Sequence, residues 1–237
     1  MVSLDFFGTA VFAVSGSLVA LERGMSVLGA LALALATAVG GGTLRDLLIE
    51  PAAPAFWLAD PRYLRTVLLA CPGALLLFPR LERRRRERRR AVPNRPTEPR
   101  LGSVTGSHPA LSLAALLSLF DALSLGAFAS LGASKASRLS LPPSAAVLSG
   151  VLSACGGGVV RDALAGVPPR ALHATRSVYA GAAAAGAAAY VAGAGWGEER
   201  ALWGGVAVAV AVRMGASLGG VRELEAGALA GKKGPPL

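Results

Sequence analysis

Long apolar stretches, separated by short polar segments, follow one another along the whole chain. Seven of them approach the roughly 20 residues that a helix needs to cross a bilayer. The pattern predicts an all-α polytopic membrane protein with seven transmembrane helices. We expect the first to be retained rather than cleaved as a signal peptide, because Asp5 stands where positive charge would be needed. The predicted spans are Leu4–Leu21, Val27–Ile49, Tyr63–Phe78, Ala110–Ala133, Ala145–Ala165, Val178–Ala194 and Leu202–Leu218.

The chain contains an internal repeat. A shift of 116 residues places TAVGGGTLRD, which begins at Thr37, on SACGGGVVRD, which begins at Ser153, and places Asp5 on Asp121. Each half holds three predicted spans, and an odd number makes the second half enter the membrane from the opposite side. The sequence therefore predicts two inverted three-helix repeats related by a pseudo-two-fold axis in the membrane plane, with the seventh helix outside them.

Positive charge is concentrated in one predicted loop. The composition is 53% hydrophobic and 16% charged, and the net charge is +10. Ten arginines and three glutamates between positions 80 and 100 contribute +7 of it. Basic loops stay in the cytoplasm, so we predict an N-terminus outside and a C-terminus inside a bacterial inner membrane. The predicted units are a first repeat (1–79), an arginine-rich loop (80–108), a second repeat (109–195), a seventh helix (196–219) and a cytoplasmic tail (220–237).

Two roles are open for this arginine-rich loop. It contacts anionic lipid head groups, where each clustered basic residue gains about 1 kcal/mol, or it only fixes the topology. No aromatic residues are interleaved with the arginines for base stacking, so we predict no nucleic-acid partner. The arginines concerned are Arg83, Arg84, Arg85, Arg86, Arg88, Arg89 and Arg90.

Matching glycine triplets interrupt the second and fifth predicted spans. Three glycines cost roughly 2–3 kcal/mol of helix propensity, so they favour a kink or an unwound turn. Unwound carbonyls and half-helix ends attract ions near the middle of a membrane. The alternative is that the glycines only let two helices cross closely. We favour a permeation path, and its expected lining residues are Thr37, Gly40, Gly41, Gly42, Thr43, Ser153, Gly156, Gly157 and Gly158.

Charged residues follow both triplets inside predicted spans. Such charges usually face the bundle interior and pair, because an unpaired one costs at least ~2.5–3.5 kcal/mol. Adjacent residues on a helix do not face each other, so we expect cross-helix partners for the arginines. These charges either lock the fold or gate the path, and they are Arg45, Asp46, Arg161 and Asp162, with Asp5 and Asp121 as possible partners.

Few other residues in the sequence indicate a metal-binding or catalytic site. Lys135 and Arg138 close the fourth span and are expected to be an interfacial pair that reaches towards the head groups. His108 and His173 stand alone, so we predict no metal site and no resident cofactor. An intramembrane enzyme would need a nucleophile with a base, or a metal cluster. The sequence shows neither, so we predict no catalytic residues and no enzyme activity.

The strings GTAVFAVSGSLVA, LATAVGGGTLRDLL and GVLSACGGGVVRDALAGVPP resemble the prokaryotic-type trimeric intracellular cation channel family. The same family is also catalogued as putative glycine transporters. The resemblance implies a homotrimer in which each protomer has its own pore, lined by the kinked second and fifth helices and permeable to monovalent cations, chiefly potassium. Many relatives carry acidic residues where this chain has Ser26 and Ser177.

Two functions therefore compete. The first is a potassium-permeable channel, in which the ion itself is the only ligand. The second is a secondary transporter of glycine or a similar zwitterion, whose carboxylate and amine suit the two ends of a broken helix. The sequence leaves both open.

Overall fold

The computed structural model describes residues 2–90, 113–169, 171 and 178–218. These residues form α-helices joined by short connections. A short 3₁₀ helix, Ala194–Trp196, separates the last two. The helices are α1 (Val2–Glu22), α2 (Val27–Ile49), α3 (Phe56–Ala59), α4 (Pro61–Arg90), α5 (Leu113–Arg138), α6 (Pro143–Leu164), α7 (Val178–Gly193) and α8 (Glu198–Leu218).

Four helices in the described part of the chain are long and apolar enough to cross a membrane. They are α1, α2, α6, and α7 together with its 3₁₀ extension. The prediction of an all-helical membrane protein is confirmed at this level.

The third predicted span extends further than its apolar pattern indicates. The sequence places its end at Phe78 and a loop from position 80, whereas α4 continues to Arg90. Arginine, glutamate and leucine are good helix formers, and the next proline after Pro79 is Pro93. The start of the predicted loop is therefore helical, and positions 91–108 lie outside the described residues.

Helices α2 and α6 cross at the two glycine triplets. A Cβ atom added to Gly41 would lie 2.9 Å from the Leu152 carbonyl oxygen and 3.0 Å from the Gly157 nitrogen. One added to Gly156 would lie 3.0 Å from the Gly41 Cα. Both helices run continuously through their triplets, so the expected unwound turns are wrong. Glycine here permits backbone contact, as it does in many membrane helix pairs.

A second pair of repeat-related glycines makes close crossings on either side. A Cβ atom on Gly16 of α1 would lie 2.6 Å from the Leu33 carbonyl oxygen of α2. One on Gly132 of α5 would lie 2.8 Å from the Ser149 carbonyl oxygen of α6. Helices α1, α2, α6 and α5 therefore pack closely one against the next, and α1 also contacts α5, while α7 and α8 pack against each other and against α5.

Candidate functional site

Each arginine–aspartate motif forms an ion pair between neighbours in sequence. Arg45 Nε lies 2.7 Å from Asp46 Oδ1, and Arg161 Nε lies 2.8 Å from Asp162 Oδ1. All four residues are buried. The expectation of cross-helix ion pairs for the arginines is wrong. Neighbouring side chains diverge by about 100° around a helix, but the three methylene groups of arginine let the guanidinium curl back to the next carboxylate.

The remaining guanidinium donors link different helices. Arg45 Nη1 donates to Ser153 Oγ of α6 at 3.3 Å, and Arg161 Nη1 donates to Ser15 Oγ of α1 at 2.9 Å. The Arg45 guanidinium also lies 5.8 Å from the centre of the Phe56 ring. Both arginines are thus fixed by a carboxylate on their own helix and a hydroxyl on another.

Lys135 of α5 supplies the cross-helix ion pair of the first repeat. Its Nζ lies 2.9 Å from both Asp46 Oδ1 and Glu50 Oε2 of α2. The expected interfacial role of Lys135 did not include these partners, which its flexible stem allows the ammonium to reach. Arg138, one turn later, pairs with Glu198 of α8.

The repeat-related Asp5 and Asp121 each pair with a tyrosine. The Tyr63 hydroxyl donates to Asp5 Oδ2, and the Tyr179 hydroxyl donates to Asp121 Oδ1 at 3.4 Å. The expectation that these aspartates pair with Arg45 or Arg161 is therefore wrong. Tyrosine satisfies a carboxylate by one hydrogen bond without bringing a charge.

Sequence reasoning missed Arg213 of α8. Its Nη2 lies 3.9 Å from Asp121 Oδ2, and its guanidinium carbon lies 5.3 Å from the centre of the Tyr179 ring. The available signal was an arginine inside the apolar stretch Leu202–Leu218. An ionisable residue within a predicted span is a functional candidate by default.

The hydroxyl groups of the expected path donate within their own helices. Thr37 Oγ1 donates to the Leu33 carbonyl at 2.6 Å, Thr43 Oγ1 to that of Val39 at 2.8 Å, and Ser153 Oγ to that of Ser149 at 2.9 Å. Each hydroxyl keeps its oxygen lone pairs for other groups. Ser153 uses one for Arg45, and Thr43 uses one for Trp57 Nε1 at 3.1 Å.

A cavity of about 590 Å³ lies beside the second repeat's charges. Apolar side chains of α1 form much of its wall, and the polar groups come from α1, α2, α5, α6, α7 and α8. Of the expected path residues, Thr37 and Gly158 border it. Gly41, Gly156 and Gly157 belong instead to the α2–α6 crossing. The charged and aromatic polar residues on the cavity wall are Asp121, Arg161, Asp162, Tyr179 and Arg213.

No group of three or more His, Cys, Asp or Glu side chains that could hold a metal ion occurs among the described residues. Both cysteines, Cys71 and Cys155, are buried and free.

Known proteins share this sequence and fold. A family model described as Glycine transporter matches residues 2–79 and 118–194. A UPF0126 membrane protein of Vibrio cholerae is 34% identical, over 90% of this chain and 77% of its own length. A UPF0126 membrane protein of Deinococcus radiodurans is 38% identical, over 78% of this chain and 73% of its own length.

Two solved structures extend the comparison. One, determined to explain conductance through TRIC cation channels, has a TM-score of 0.72 at 29% identity and covers 95% of this chain and 94% of its own. The trimeric intracellular cation channel orthologue from Rhodobacter sphaeroides has a TM-score of 0.68 at 34% identity, over 92% of this chain and 97% of its own. This chain therefore belongs to the family of UPF0126 membrane proteins and TRIC channels that the Glycine transporter model describes.

Proposed function

We propose that the protein is a channel for monovalent cations, chiefly potassium, with a separate path through each protomer. The observation that carries the proposal is the cavity of about 590 Å³ beside α6, which is bordered by two carboxylates, two arginines and a threonine hydroxyl. The similarity of the whole chain to solved cation channels favours the same function.

The path runs from this cavity past the α2–α6 crossing. Because both helices are continuous there, their carbonyls stay hydrogen-bonded within the helix, and side-chain oxygens must replace the water around the ion. Asp121 and the hydroxyls of Thr37 and Ser15 offer such oxygens on the cavity wall. The glycine triplets serve as flexible points at which α2 and α6 kink when the path opens.

The proposal includes a topology and an assembly. We propose seven transmembrane helices, α1, α2 and α4 to α8, arranged as two inverted repeats with α8 outside them, and the N-terminus outside. A 34% identical relative, the Escherichia coli protein YadS, is an inner membrane protein, which supports the same location. The trimeric channel of Rhodobacter sphaeroides supports a homotrimer. The arginine-rich segment then faces the cytoplasm, where it meets anionic lipids.

Proteoliposomes provide the test. Purified protein should carry potassium at rates far above carrier turnover, seen as single-channel currents. Asp121→Asn removes a carboxylate from the cavity wall and should reduce the potassium current several-fold. Glu199→Gln neutralises an exposed carboxylate on α8 and is the matched control. Absence of potassium current in the wild type would overturn the proposal.

A second function, glycine transport, is favoured by one observation. The cavity wall carries both an arginine, Arg213, and a carboxylate, Asp121, which match the two ends of a zwitterion. Uptake of labelled glycine into the same liposomes, saturating at low turnover and without single-channel currents, would select this function.

A further inference from the structure

Arg213 lies on α8, a long helix outside the two repeats. The repeat shift places α1, α2 and α4 on α5, α6 and α7, so the charge that α8 brings to the cavity is not duplicated in the first half. Its guanidinium stands over the Tyr179 ring, 3.9 Å from the nearer oxygen of Asp121. Arg213 is therefore the cationic group next to the carboxylate that the cavity offers to an ion.

Arg213 is held more loosely than the buried Arg45 and Arg161. Arg45 and Arg161 lie 2.7 Å from their carboxylates and also donate to a serine. The separation of Arg213 from Asp121 exceeds a hydrogen bond. Its buried Nε has no hydrogen-bond partner among the described residues. An arginine that served only to hold α5, α7 and α8 together would have its buried N–H groups hydrogen-bonded, as Arg45 and Arg161 do.

The charges on the cavity wall balance only when Arg213 is counted. Arg161 neutralises Asp162 at 2.7 Å, which leaves Asp121 facing Arg213. Neutralising Arg213 would leave one unpaired negative charge on the wall. At 3.9 Å a fixed cation strongly opposes a mobile cation at the same carboxylate.

We propose that Arg213 is a specificity-determining residue that occupies, as a tethered cation, the place of a permeating cation at Asp121. This inference rests on the proposed channel function. The arginine limits the occupancy of the site and so sets both the cation current and the preference for cations over anions. Displacement of its guanidinium from Asp121 opens the site to an ion.

The test compares four proteins in planar bilayers with a tenfold potassium chloride gradient: wild type, Arg213→Gln, Arg213→Lys and Arg200→Gln. Arg200 is exposed on the same helix, so Arg200→Gln is the matched control. Arg213→Gln should raise the potassium current at least threefold at 20 mM salt and increase the permeability ratio of potassium to chloride. The increase in potassium current should be smaller at 1 M salt, where exposed charges are screened within about 3 Å.

Arg213→Lys keeps the positive charge, and its potassium current should stay within twofold of the wild-type current. This result would also show that the change in Arg213→Gln does not come from the loss of arginine packing. An unchanged or smaller current and permeability ratio in a folded Arg213→Gln protein would overturn the inference. If Arg213→Gln does not fold, the inference falls when Arg213→Lys raises the current and the potassium preference. Failure of the proposed function is distinct, because the wild type would then carry no potassium current.

Discussion

The two repeats carry the same glycine and charge motif, yet their surroundings differ. In the first, Asp46 is paired with both Arg45 and Lys135. Phe56 of α3 covers the motif, since a Cβ atom on Gly42 would lie 2.5 Å from its ring. In the second, Arg161 and Asp162 border a cavity of about 590 Å³. The first cluster is filled by protein side chains, and the second faces open space.

The difference comes from residues outside the motif. Lys135 of α5 falls on Val19 of α1 under the repeat shift, so the Arg161–Asp162 cluster has no corresponding lysine. Arg213 lies on a helix that the repeat does not include. The motif therefore fixes how α2 and α6 cross, while single residues on α5 and α8 decide what each cluster contacts. The two matching motifs therefore have different surroundings.

The largest effect is expected where the two halves meet. Gly41→Ala places a Cβ atom 2.9 Å from the Leu152 carbonyl oxygen, so α2 and α6 must move apart. Overpacking of this kind costs about 1–3 kcal/mol. Thermal unfolding in detergent should show a clear loss of stability. Gly181→Ala, on α7 with open space at its Cβ position, is the control and should be neutral or stabilising. Equal stability of both variants would disprove the close crossing.

A smaller effect is expected from the lysine that distinguishes the first cluster. Lys135→Met removes one of the two cations at Asp46 and leaves Glu50 without it. The ammonium is partly exposed, so the loss is about 1–2 kcal/mol rather than the 3–5 kcal/mol of a fully buried pair. Arg138→Met, which breaks an exposed pair with Glu198, should cost under about 1 kcal/mol. The reverse order would show that Lys135 is not part of a buried cluster.

The smallest effect separates the two tyrosine–aspartate pairs. Tyr63→Phe removes a direct hydrogen bond to Asp5 and should cost about 1 kcal/mol or slightly more. Tyr179→Phe removes a longer bond of 3.4 Å to Asp121 and should cost less. Parallel unfolding curves of the two variants would measure the difference. A larger loss for Tyr179→Phe would mean that the second cluster is the more tightly bonded one.

Much of the fold could be predicted because bilayer-length apolar stretches have few alternatives to helices. The bounds of α2 agree with the predicted span from Val27 to Ile49. The short helix α3 was not predicted, since four residues show no usable periodicity. The end of α4 was misplaced because hydropathy marks where apolar residues stop, and not where the backbone leaves the helix.

The sequence by itself determined the apolar helices, the matched triplets at Gly40 and Gly156, and the charges that accompany them, since all three follow from local composition and a repeat of 116 positions. Only the tertiary structure decided the partners. Arg45 curls back to Asp46, Lys135 reaches across from α5, and Arg213 meets Asp121, because a long flexible side chain can take any carboxylate within its reach. The packing of the helices determines which carboxylate lies within reach, and the spacing of residues along the sequence does not reveal that packing.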